Sequence, residues 1–141
     1  MAADTAFTIS NTLEELTRAA SAISDFCNQH EELLPLEHRI TLVLEELLTN
    51  TISYGYDADD TAPHLIEIRL SLADGWLHVV FEDDGAPFDL TQKSEADMAG
   101  DVEDRPVGGL GIHLILTIMD SVTYQRIGDR NRVNMRMSLT D

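Results

Sequence analysis

Residues 66 to 81 leave this chain the least choice. Ile66, Ile68, Leu70 and Leu72 alternate with Glu67, Arg69 and Ser71; after Asp74-Gly75 the alternation resumes as Leu77, Val79 and Phe81 against His78, Val80 and Glu82. Successive side chains of a strand point to opposite faces, so each run is a strand with one apolar face. Asp-Gly between two such runs suits a tight hairpin turn, whose central residues need positive φ. The sequence therefore predicts an antiparallel hairpin that buries one face and needs the rest of the chain to cover it.

Helices supply the cover. Asn11 or Thr12 with Glu14 or Glu15 three residues on marks a helix start, and Leu13, Leu16, Ala20, Ile23 and Cys27 keep helical spacing from about Leu13 to Asn28. After Pro35, the residues Leu36, Ile40, Val43, Leu44, Leu47, Thr51 and Tyr54 form one stripe, and Gly55 stops the helix. "AFTIS" alternates as a short first strand, while Val122 to Ile127 and Val133 to Leu139 read as two last strands joined around "GDRN". Leu110, Leu114, Ile115 and Ile118 form a helix beginning at the glycines of "GGLGIHL", after a polar stretch from Asp89 to Val107 that reads as a long loop. This order predicts one domain over residues 1–141 with an α+β fold: a two-layer sandwich, helices on one face of a mostly antiparallel mixed sheet.

Charge and composition narrow the function. Nine basic and 26 acidic side chains leave a formal charge of −17, which repels phosphate backbones and anionic lipid, so neither nucleic acid nor membrane is expected as a partner. A small anionic ligand would have to be held by local backbone donors or a metal. No stretch approaches the roughly 18 apolar residues of a membrane span, and "MAADTAFTIS" has neither the basic nor the apolar region of a secretory signal. Cys27, the one cysteine, cannot form an intrachain disulfide, so a cytoplasmic protein is expected. His38, His64, His78 and His113 lack zinc-ligand spacing, and Cys27 reads as core.

Three places bear chemistry. Glu46 and Asn50, four apart, share a helix face; with Leu47 as the centre of the stripe they fall about 100° and about 60° to the same side, at the rim of the core. They are either an ordinary polar helix edge or a pair of oxygen ligands for a hard cation and a proton acceptor. Asp83 in "FEDDG" continues the apolar face of Leu77, Val79 and Phe81, so it either needs a buried hydrogen-bond partner or belongs to a solvated turn beyond the strand. Gly109 and Gly111 open a helix, whose unpaired N–H groups and positive dipole end suit a phosphate, though glycines there also serve tight packing.

An E-x-x-x-N helix, a strand ending D-x-G, a polar loop and then G-x-G opening a helix together resemble the N, G1 and G2 boxes of the GHKL ATP-binding family. Within it, "EELLTNTISYGY" and "GGLGIHLILTIMDSVTY" look most like the RsbW/SpoIIAB-type anti-sigma factor serine kinases. The resemblance runs from about Phe7 to Leu139. It implies ATP and Mg²⁺ as cofactors, with Asn50 as the metal ligand and Glu46 as the general base toward a serine on a partner. It implies that Asp83 accepts a hydrogen bond from the adenine amino group and that Gly85 lets the base come close. The stretch from Leu90 to Val107 would be the ATP lid, Arg105 a phosphate contact, and Gly109 and Gly111 backbone donors to phosphate. The partners implied are a STAS-type anti-sigma-factor antagonist, a sigma factor and a second copy of the chain. One position departs from the pattern: Pro87 stands where the G1 box often has its second glycine, which stiffens that turn and removes an N–H. The alternative to a kinase is a regulatory module that binds nucleotide and a partner without phosphoryl transfer.

Overall fold

The computed structural model describes residues 3–92 and 109–139. Leu65–Ala73 (β2) and Trp76–Asp83 (β3) form the hairpin read from the alternation, with Ala73 opposite Trp76. Asp74 at φ 55° and Gly75 at φ 81° both take the left-handed conformation that such a two-residue turn needs. Ile66, Ile68, Leu70, Leu77, Val79 and Phe81 are all buried.

Ala3–Ser10 (β1) pairs with β2, Arg130–Ser138 (β5) with β3, and Ser121–Ile127 (β4) with β5, giving the order β1-β2-β3-β5-β4. All four pairings are antiparallel. Both β3 and β4 run opposite to β5 and hence parallel to each other, but β5 folds back into the gap between them. No parallel ladder forms among the described residues, which is why the expected mixed sheet is antiparallel throughout. The last hairpin closes at Gly128 and Asp129, so Asn131, placed in the connection by the sequence reading, lies within β5.

Among the described residues three helices cover one face: Leu16–Asn28 (α1), Glu37–Tyr54 (α2) and Gly109–Ile118 (α3). The chain enters α1 through a 3-10 turn at Leu13–Glu15, which leaves Leu13 54% exposed; Ala19 and Phe26 take core positions instead, beside Ile23 and Cys27. Burial pushes the Cys27 thiol up to about 11, aided by the charge of Glu37, so Cys27 is a core residue with little thiolate. On α2 the stripe holds from Ile40 to Thr51, but Tyr54 is exposed and Leu48, outside the stripe, is fully buried. The reason is that α2 lies between α1 and α3, so its apolar arc is wider than one stripe. Leu90 is also buried, in a short 3-10 turn at Leu90–Gln92, so the polar stretch after β3 begins with an anchor in the core.

Leu48→Ala should therefore lower the unfolding free energy by about 2–5 kcal/mol, the range for a large-to-small change in a core. Urea denaturation would measure it, and a loss of less than about 1 kcal/mol would place Leu48 outside the packed core.

Candidate functional site

Beyond Phe81 the core face of β3 continues into Asp83, which is 4% exposed. Its Oδ1 accepts from the Gly85 N–H at 2.8 Å and from Asn131 Nδ2 at 2.9 Å. Burial raises the Asp83 pKa, and those two bonds pull the other way. With Oδ1 occupied, Oδ2 is the acceptor left for the cavity that Asp83 lines. That cavity, about 140 Å³, has Leu47, Phe81, Phe88 and Val133 as apolar wall and Asn50, Thr51, Asp83 and Asn131 as polar groups. It is smaller than the clefts of about 300–1,000 Å³ that take whole drug-sized ligands, and suits one flat ring system.

The other half of the site lies along α2. Asn50 lines the cavity, and Glu46, one turn earlier and half-buried, reaches α3. A side-chain carbon at Gly111 would collide with the Glu46 carboxylate, so glycine at this position lets the two helices meet with a carboxylate between them. Glu46 thereby places negative charge at the positive end of α3. Gly85 is buried under the turn after β3, where a side-chain carbon would stand 2.7 Å from the Gly55 carbonyl oxygen. That carbonyl accepts from the Ala86 N–H at 2.8 Å, which ties the turn to the end of α2.

A strand-end carboxylate lining a largely apolar cavity, with a polar helix rim beside it and a helix start beyond, is a layout that suits a nucleotide. A family model described as a histidine kinase-like ATPase domain matches residues 9–137. The chain belongs to this family. It is 28% identical over 100 residues to the serine/threonine-protein kinase BtrW of Bordetella bronchiseptica, covering 71% of this chain and 69% of that one. It is 30% identical over 91 residues to the serine-protein kinase RsbW of Bacillus subtilis, covering 61% of this chain and 55% of that one. The chain thus spans little more than half the length of RsbW. Among solved structures, the histidine kinase AdeS of Acinetobacter baumannii shares the fold, with a TM-score of 0.51 at 15% identity over 96% of this chain and 68% of that one.

In this histidine kinase-like ATPase domain, the residues singled out from sequence fall into two groups. Asn50 and Asp83 share the cavity, while Glu46 and Gly111 meet at the α2–α3 contact. Gly109 opens α3, Gly85 packs on Gly55, and Arg105 with most of the Leu90 to Val107 stretch lies outside the described residues. Sequence reading missed Asn131. The signal was available, because period-2 alternation carried back from Met135 and Val133 puts Asn131 on the core face opposite Asp83.

Next to Asp83, Asp84 joins a second cluster on the ATPase domain. Its Oδ1 accepts from the Tyr56 hydroxyl at 2.9 Å and its Oδ2 lies 2.9 Å from His64 Nδ1; His64 Nε2 is 2.8 Å from Asp60, and the Tyr56 and His64 rings stack at 4.5 Å. Burial alone would raise the Asp84 pKa, but the bonds from His64 and Tyr56 lower it. Burial and then the bond to Asp84 raise that of Tyr56. The bonds to Asp84 and Asp60 raise the His64 pKa. A histidine whose folded pKa is raised stabilises fully below its unfolded value of about 6.5. That contribution disappears as pH rises through the folded pKa. The melting-temperature gap between the native protein and His64→Ala should therefore narrow as pH increases above about 6.5, followed by circular dichroism. A gap constant from pH 6 to 9 would mean that His64 is not held as a cation.

Proposed function

We propose that this chain is an ATP- and Mg²⁺-dependent serine protein kinase of a bacterial partner-switching system. In this reading it is cytoplasmic, phosphorylates a serine on a small STAS-type antagonist of an anti-sigma factor, and holds a sigma factor in the alternative complex. Membership of the ATPase-domain family and likeness to BtrW and RsbW, both named as serine kinases, support the class. The observation that carries it is the Oδ2 of Asp83, which takes no hydrogen bond among the described residues and lies at a cavity that Asn50 also lines.

The adenine would enter the cavity with its amino group donating to Asp83, and the phosphates would run past Asn50 toward the first turn of α3, where the backbone N–H groups of Gly109 and Gly111 would meet them. Gly85 would give the base room beside Asp83, and Arg105 would reach the phosphates from the lid. Mg²⁺ takes few protein ligands and keeps phosphate and water oxygens, so the Asn50 side-chain oxygen fits it; no cluster of three metal-binding side chains gathers among the described residues. The ion supplies charge neutralisation on the transferring group. Glu46 accepts the proton of the serine hydroxyl as the new Oγ–P bond forms and the bond to ADP breaks.

A homodimer also follows from this reading. Arg69, Arg130, Arg132 and Arg136 share the sheet face that the helices leave open, with Glu67, Glu82 and Asp4 among them. That face is close to balanced in charge on a strongly acidic molecule, so a second copy could approach it without strong repulsion.

The second reading, a nucleotide-binding module without transfer, draws on the packing of Glu46 against α3, which would also suit a helix-end anchor. One measurement tests the nucleotide site common to both and a second separates them. In calorimetry, Asp83→Ala should weaken Mg-ATP binding about 10- to 100-fold, the worth of a hydrogen bond to a charged group, and Asn50→Ala should remove the Mg²⁺ dependence. With a STAS-type protein as acceptor, Glu46→Gln should cut transfer about 10²- to 10⁴-fold without weakening ATP binding. Tight ATP binding with no transfer by the native protein would select the module; absence of ATP and ADP binding would remove both readings.

A further inference from the structure

Asp83 is held by a residue outside all three sequence boxes. Asn131 is 4% exposed and stands directly opposite Asp83 in the β3–β5 register. Its Nδ2 donates to Asp83 Oδ1 at 2.9 Å, to the Ala86 carbonyl at 2.9 Å and, more weakly, to the Gly85 carbonyl at 3.3 Å. Its Oδ1 accepts from the Phe88 N–H at 3.4 Å, from Arg126 Nη1 at 3.2 Å and from the Tyr124 hydroxyl. Arg126 Nη1 also donates to the Gly85 carbonyl at 2.9 Å. Acceptors on one side of the amide and donors on the other leave it a single orientation.

Two consequences follow. Residues 85, 86 and 88 each give a main-chain group to Asn131, so the turn around Pro87 takes its shape from the opposite strand and needs no second glycine. Asp83 Oδ1 already carries two donors, so the cavity meets Asp83 through an acceptor.

We propose that Asn131 is the positioning residue of the base pocket: by fixing segment 83–88 and occupying one oxygen of Asp83, it makes the pocket select a purine bearing an exocyclic amino group over one bearing a carbonyl there. This rests on the nucleotide reading above. A ring carbonyl would set two acceptors against each other, and sites built around a buried hydrogen bond reject a ligand that cannot make it. Without the Asn131 donor, Asp83 keeps only the Gly85 N–H and takes up a proton more readily; a protonated carboxyl can donate to a carbonyl, and selectivity falls.

The test compares Mg-ATP and Mg-GTP binding by calorimetry for the native protein, Asn131→Ala and Tyr124→Phe, with the Asp83 carboxyl titrated by carbon-13 NMR and Gly85 and Phe88 amide exchange followed in the same proteins. The native protein should prefer ATP. Asn131→Ala should reduce the ATP-to-GTP affinity ratio at least about tenfold, move the Asp83 titration to higher pH and speed both amides. Tyr124→Phe changes the same quantities in the same direction by less, and it serves alone if Asn131→Ala does not fold. Equal weakening of both nucleotides, or an Asp83 titration and amide exchange that stay put, would overturn the proposal. If the native protein binds neither nucleotide, the nucleotide reading falls, and the NMR measurements still decide whether Asn131 holds Asp83 and its turn.

Discussion

The hydrogen bond between Asp83 and Asn131 is the constraint around which this domain is arranged. A carboxylate on the core face of a central strand is expensive to bury, by several kcal/mol if it stays charged and unpartnered. Only a strand beside β3 can bring a donor directly opposite, and β5 does so because it inserts between β3 and β4. That insertion also removes the parallel β3–β4 pairing that the helix crossover would otherwise make. Topology and polar chemistry thus have one solution in common: the strand that completes the sheet also carries the amide that makes Asp83 tolerable.

The second organising element is α2, which lines the cavity, meets the start of α3 and ends beside the turn after β3. Its apolar arc, with Leu44, Leu47 and Leu48 buried, sets its height over the sheet; Asn50 then falls on the cavity and Glu46 on α3. Its last residues meet the turn after β3 through the Gly55 carbonyl. The glycines at 85 and 111 are close-approach positions in this arrangement. Each lets a polar group of α2 or its end lie where a side chain would otherwise stand, so α2 has little freedom to shift without disturbing both the turn and the helix start.

Much of this was legible in the sequence because its signals are local and periodic. The hairpin at Asp74-Gly75 and the core faces of β2 and β3 follow from alternation alone. The Glu46 and Asn50 positions follow from helical spacing. Long-range pairing was harder to see. Leu48 is buried because helices flank α2 on both sides, a fact of packing that one stripe does not carry. Leu13 was misplaced by a 3-10 entry into α1. Asn131 was hidden in a turn-like run, Gly-Asp-Arg-Asn, whose last two residues belong to the strand; turn propensity outweighed alternation there, and a buried asparagine looks like a loop asparagine until its partner is known.

Electrostatics gives the proposed chemistry its order of events. A formal charge of −17 repels a triphosphate, but at physiological ionic strength exposed charges are screened beyond about 8 Å. What a phosphate meets in the cleft is decided by the few groups lining it. Of these, the start of α3 is favourable and Glu46, packed on Gly111, is not. In the proposed reaction the two conditions are reconciled by the cation carried on the phosphates, which offsets the charge near Glu46. The ligand proposed for that cation, Asn50, lies one turn further along the same helix. On this reading the E-x-x-x-N spacing separates base from metal by one helical turn, so that a proton acceptor can stand beside a polyanion without expelling it.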